Sequence, residues 1–338
     1  MFELFKSFFE TGRSAEGKYP ESLVTFAIER AVDGTDPRLR ALPGYARKLK
    51  GAVVHAIDHV IDLVEELPAA VDASRQSFGE DRRLLGYFPT VDRMQEVLSA
   101  GGVLGDFVQR TGGIGTDRIV ALMMMEKQER TVLGVEQKGE MVVYDVPQVT
   151  VGFSNHRLVD PADAEAGTRR LLKRRAFDHL LGIALGRIEA AGKERAGLEQ
   201  QCKLLGRKLK TLQAGGWTFD PGGAAAAADL PRLEAQLEGI QKQLRELGSD
   251  TGTLRFHLDT LNDVLGRAEE QLWVTHPSLI IDRKGIKCEQ PSDDAIELTL
   301  DELNNADGRR AVALLVNVPR GEVRTRGALL SEAQRYLR

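Results

Sequence analysis

Four places in the chain hold side chains whose types and spacing could do chemistry. "HAIDHVID" sets His55, His59 and Asp62 on one face of a helix, with Asp58 beside them. Two imidazoles four residues apart can share a metal ion, and a carboxylate can be a third ligand. The pattern is not HExxH, and it lies opposite the apolar stripe of the same helix. A solvated polar face is therefore expected, with metal as the alternative. "SNHRLVD" sets His156 and Asp160 just after a strand, a pairing suited to acid–base work. No glycine-flanked serine or reactive-looking cysteine accompanies it. It reads more simply as a strand-to-helix junction, with Asp160-Pro161 starting the helix.

The third place is "RRLLKRRAF", where Arg169, Arg170, Lys173, Arg174 and Arg175 cluster. Such a run can bind phosphate. No aromatic-rich strand motif or recognition-helix pattern accompanies it, so a neighbouring acidic helix is the expected partner. The fourth is "AGGWTFDPGG", in which Trp217 and Phe219 sit among glycines and a proline. The rings either fold down onto a leucine layer or project as a docking anchor for protein or lipid.

Other chemistry is missing. There is no GxxxxGK[ST] and no GxGxxG, so no cofactor is implied. A formal charge of −4 predicts no general affinity for nucleic acid or anionic membrane. Cys202 and Cys288 form no CxxC, which fits a reducing compartment and a cytoplasmic location. No uncharged apolar run is long enough for a membrane span. The start of the chain, "MFELFKSFFE", is a poor signal peptide; Phe2, Phe5 and Phe9 recur at helical spacing. That segment reads as a helix packed on the body, with peripheral membrane contact as the alternative.

These side chains need elements to position them. The fold class expected is α+β: an N-terminal helical domain, an antiparallel β body formed by two strand sets, and a long antiparallel coiled-coil hairpin inserted between the sets. The boundaries are 1–113 for the helical domain and 114–160 plus 274–325 for the discontinuous β body. The arm covers 161–273 and a short C-terminal helix 326–338. Asp36-Pro37 reads as a helix start, and Thr90 as a cap. Val53, Ile57, Val60, Ile61, Val64 and Leu67 make the clearest apolar helix stripe. "IVALMMMEKQ", "RTVLGVEQ", "EMVVYDV" and "VTVGF" read as four short strands, with a hairpin turn at Lys138-Gly139. "SLIIDR", "IKCEQ", "AIELTLDEL" and "RAVALLVNV" make the second set, and both sets are expected in one sheet or open barrel.

The arm is read from four-three spacing. Phe177, Leu181, Ala184, Ile188, Ala191, Arg195, Leu198, Cys202, Leu205, Leu209 and Leu212 form one stripe. The other runs from Leu230 and Leu233 through Leu237, Ile240, Leu244, Leu247 and Thr251 to Leu254, Leu258, Leu261 and Leu265. Folding back near Pro221 sets Leu212 against Leu230, Leu181 against Leu261 and Arg195 against Leu247; a register one heptad away also aligns the stripes. Residues 163–213 carry twelve basic and six acidic side chains, and residues 224–273 five and nine, so the halves attract. Glycines near 192, 197, 248 and 252 predict a bend or a split in mid-arm. A helical hairpin between two halves of a β unit is similar in outline to periplasmic adaptor subunits of efflux pumps. The likeness is in outline alone, because the first third here is helical, and no family follows from it.

Three functional readings result. The leading one is a cytoplasmic, non-enzymatic interaction or scaffold protein that meets a protein partner through Trp217 and Phe219. The second is a nucleic-acid-associated protein using the basic helix 169–210. The third is an enzyme with a site near His156.

Overall fold

A computed structural model of the chain describes residues 19–99, 102–111, 115–138, 141–213, 223–246, 250–282, 284–288, 290 and 295–323. In chain order the elements begin with α1 (Glu21–Asp33), α2 (Tyr45–Glu65), β1 (Val71–Asp72), α3 (Arg82–Tyr87), α4 (Val91–Ser99) and α5 (Val103–Arg110). The long strands β2 (Arg118–Lys138) and β3 (Met141–Ala162) follow, then α6 (Glu165–Gln213), α7 (Gly223–Glu246), α8 (Asp250–Gly266) and α9 (Ala268–Gln271). The chain closes on β4 (Leu272–Thr275), β5 (Ser278–Asp282), β6 (Lys287–Cys288), β7 (Ala295–Thr299), β8 (Asp301–Asn305) and β9 (Arg310–Pro319). The architecture is α+β with antiparallel sheets, β1 alone running parallel to β9.

The chain divides into two compact units. One, built from Asp58–Phe177 and the chain beyond Glu269, holds the strands. Its main sheet has the order β3-β2-β9-β8-β4, and a second sheet the order β6-β5-β7. The core lies between sheet and helices: Ile119, Met123 and Met125 of β2 and Val312, Leu314 and Val316 of β9 meet Leu84, Phe88, Met94 and Leu104. Thr168, on the first turns of α6, donates its hydroxyl to the Val120 carbonyl at 2.7 Å in a fully buried position.

The other unit is helical. Arg30 of α1 grips Asp178 of α6 through two hydrogen bonds at 2.7 and 2.5 Å. Asp36 does what its position before Pro37 predicts, accepting from the Arg38 N–H, but the turn it caps (Pro37–Ala41) is 3-10. Leu49, Val53, Ala56 and Ile57 of α2 are buried, as the apolar stripe requires.

Several expectations change. The first strand set is two long strands, not four short ones. A ribbon wet on both faces tolerates the charged run "EKQER" in mid-strand, so the strand continues through it. "AIELTLDEL" is not one strand: β7 and β8 lie in different sheets, and the chain turns at the fully buried Leu300. The two strand sets do share the main sheet, where β2 of the first pairs with β9 of the second, but not all of the second set joins it. β5, β6 and β7 form their own, which touches β3 through a Thr150–Ile286 bridge and a Val151 N–H to Gly285 carbonyl bond of 2.7 Å. Gly285, between β5 and β6, has φ +79°, and a Cβ there would sit 2.8 Å from the Val151 oxygen. Asp160-Pro161 does not start a helix: β3 runs through it to Ala162, and α6 begins at Glu165.

β3 bends three times. Asp145, Asn155 and Asp160 each take a left-handed φ, of 58°, 52° and 52°. Each lies within one of the register shifts in the β2–β3 pairing. These are bulges that use short polar side chains where a β-branched one would clash. The middle one turns His156 and Leu158 to the core side that Val151 and Phe153 occupy before it. Replacing Asn155 with valine is expected to cost about 1–2 kcal/mol, and replacing it with glycine much less, by urea unfolding.

Candidate interaction site

Beyond Met125, β2 leaves β9 and continues paired with β3 alone as far as Lys138. Two-stranded ribbons have no interior, so every side chain near the end meets solvent. Many of the solvent-facing residues here are apolar: Leu133 is 69% exposed, Met141 72% and Tyr144 71%, with Val132, Val135, Val142 and Val143 beside them. Scattered surface leucines are ordinary; seven apolar residues on one ribbon end are not. In the sequence "RTVLGVEQ" and "EMVVYDV" read as ordinary strands, a reading that includes no exposed patch. The available signal was the lack of alternation: Val-Leu and Val-Val-Tyr put apolar groups on both faces.

The residues singled out in the sequence are placed as follows. His59 Nε2 lies 2.7 Å from the Leu272 carbonyl oxygen. A carbonyl only accepts, so this nitrogen carries the proton and has no lone pair for a metal. His55 and Asp62 are exposed, and no metal-ligating group of three occurs among the described residues. His156 stacks on Phe88, ring centres 5.1 Å apart, and burial holds its imidazole below the ordinary value. Asp160 does not join it, because Arg175 binds both carboxylate oxygens at 2.6 and 2.8 Å.

The basic run is likewise engaged. Arg169 donates to the carbonyls of Val64, Leu67 and Pro68 at 2.5, 2.8 and 3.1 Å and pairs with Glu165. Lys173 meets Glu65 at 2.5 Å, and neither Arg170 nor Arg174 is free. The acids that answer this cluster come from α2, β3 and the start of α6. Trp217, Phe219, the Phe2–Phe9 segment and the expected helix 326–338 lie outside the described residues.

One polar cluster was not foreseen. His276, after β4, places Nδ1 2.9 Å from Asp301 and Nε2 3.0 Å from Glu66. The Glu66 and Asp301 carboxylates raise its pKa above the ordinary imidazole value of 6.5. Burial pushes the Asp301 carboxyl up, against the pull of the imidazole. A group with a raised folded pKa stabilises most below its unfolded pKa and loses that contribution as pH rises through the folded value. Melting temperature should therefore fall as pH rises above about 6.5, and His276→Asn should flatten that fall.

No family model, curated protein or solved structure matches this chain. Among the described residues, no helix is long and apolar enough to cross a membrane.

Proposed function

We propose that this is a non-enzymatic interaction or scaffold protein whose segment 161–273 works as a coiled-coil arm with a partner-binding tip. The observation that carries the reading is the burial pattern of α6. From 191 to 209 the half-buried positions are Ala191, Arg195, Leu198, Cys202, Leu205 and Leu209, with Glu199 and Gly206 flanking them; the remainder are exposed. A helix covered along one four-three stripe is a helix with one partner helix. Leu233, Leu237, Ile240 and Leu244 are the corresponding covered positions on α7, and Leu258, Leu261 and Leu265 are buried on α8.

Two cross-helix contacts bear on register. Arg195 donates to Thr253 Oγ1 at 2.7 Å, and Arg187 lies 3.9 Å from Asp263. The hairpin read from sequence would set Arg195 opposite Leu247 and Arg187 opposite Arg255. The contacts favour the α6–α8 register about one heptad further on, roughly 10 Å along the axis. A split in mid-arm, of the kind the glycines near 248 and 252 predict, leaves α8 a register of its own; α7 ends at Glu246 and α8 starts at Asp250.

The tip aromatics Trp217 and Phe219 are the proposed anchors, since exposed aromatic pairs supply large contact area at small entropic cost. The test uses the full chain with both changed to serine. Partner capture should fall sharply while melting is unchanged. Intact capture with a large loss of melting temperature would assign the rings to the hairpin's own packing and remove the reading.

A further inference from the structure

The outer edge of β2 past Met125 is an open hydrogen-bonding edge. β9 pairs with Arg118–Met125 only, and among the described residues no strand continues the pairing from Glu126 to Lys138. This edge carries charged side chains at its start, Glu126, Lys127, Glu129 and Arg130, but lacks the sharper defences of a proline or a left-handed kink. It contains no proline, its middle is Thr-Val-Leu-Gly-Val, and Val132, Leu133 and Val135 are exposed. The outer edge of β3 differs: Pro147 removes a donor, Asp145 kinks the backbone, and Val151 already donates to Gly285. An open edge with an apolar middle on one strand, beside an interrupted edge on the other, marks β2 as the side that meets a strand.

The β2 sequence is complementary to itself. Laid antiparallel on a second copy with the two-fold axis at Leu133, it sets Arg130 opposite Glu136 twice. The same register places Thr131 against Val135 and the two Leu133 side chains together. Residues directly opposite in an antiparallel pair share a face, so opposite charges attract and the leucines cover each other. Arg130 is exposed and its recorded hydrogen bond is a 3.2 Å contact to Gln128, so its charge is available. We infer that the chain forms a symmetric dimer through the β2 edge, joining two hairpins into a four-stranded antiparallel sheet with its axis at Leu133.

This surface is independent of the helical arm. A partner strand supplied by a different protein is the competing occupant, and the experiment separates them. Sedimentation velocity of the full chain, alone in solution, should show a reversible monomer–dimer equilibrium. Arg130→Glu should weaken it by about tenfold or more, because it sets like charges opposite at two places. Glu136→Arg should do the same, and the double swap Arg130→Glu/Glu136→Arg should restore dimerisation. Leu133→Lys, which sets two ammonium groups at the axis, should abolish it while leaving the melting temperature of the monomer unchanged. A chain that is monomeric at all concentrations overturns the inference and leaves the edge to a foreign strand. A dimer indifferent to these swaps, or one not restored by the double swap, overturns it as well.

Discussion

Arg169→Ala should destabilise the protein by about 2–4 kcal/mol in urea unfolding, one of the two largest effects expected of a single substitution here. The carbonyls at the end of a helix have no partner within the helix. Arg169 supplies donors for the end of α2 and the chain after it, to Val64, Leu67 and Pro68, while its Nε holds Glu165. Its side chain is only 14% exposed, so water does not replace those donors. Lysine should recover less than half of the loss, because an ammonium is a point charge and the guanidinium is a planar fork. The same substitution weighs against the nucleic-acid reading. If Arg169 contacted phosphate, Arg169→Ala would weaken salt-dependent DNA binding with stability intact. A guanidinium directed at three carbonyls and a carboxylate makes the opposite pattern the expected one.

The second large effect lies at Asp36. Its carboxylate caps the 3-10 turn, pairs with Arg38 at 2.9 Å and faces His257 Nδ1 at 2.8 Å in a position 9% exposed. The Arg38 hydrogen bond, opposed by burial and helped by His257, lowers its pKa from 3.8 to about 2. Nearly two pH units of depression correspond to about 2.5 kcal/mol of stability in the ionised form. A depressed folded pKa gives stability that is present above the unfolded value and lost as pH falls through the folded one. Wild-type stability should thus drop between about pH 5 and pH 2, and Asp36→Ala should remove that part of the decline. At neutral pH the same variant should be about 3 kcal/mol less stable, since the cap is lost and His257 is left buried without its carboxylate. Chemical unfolding of both proteins across that pH range is the measurement.

Some of this was legible in the residues themselves. Asp36 before Pro37 names a cap because the proline ring presets φ and the carboxylate reaches the next N–H. Thr90 accepts from the Arg93 N–H at 3.2 Å, as its place before "VDRMQ" suggests. On α6 from 191 to 209 the covered positions follow the four-three spacing, because helical periodicity is local, whereas Leu172, Leu180 and Ile183 on α6 and His257 and Val264 on α8 are buried off the stripe. The basic run was legible as charge but not as role. Nothing near Arg169 in sequence announces the carbonyls of residues 64–68 roughly a hundred positions earlier.

The sequence alone determined what a few neighbouring residues can settle: that helical and strand-rich stretches alternate as they do, where caps such as Asp36 and Thr90 fall, and which face of α2 is apolar. Partnership was decided only in three dimensions. Whether Val132, Leu133 and Tyr144 are core or surface depends on whether another layer covers the ribbon, and hydrophobicity reads the same in either case. The split at Leu300, the third bend at Asp160 and the meeting of His276 with Glu66 and Asp301 likewise depend on contacts between residues far apart in the chain. Closing such contacts costs loop entropy that no short window of residues records, so only the folded structure shows which of them are formed.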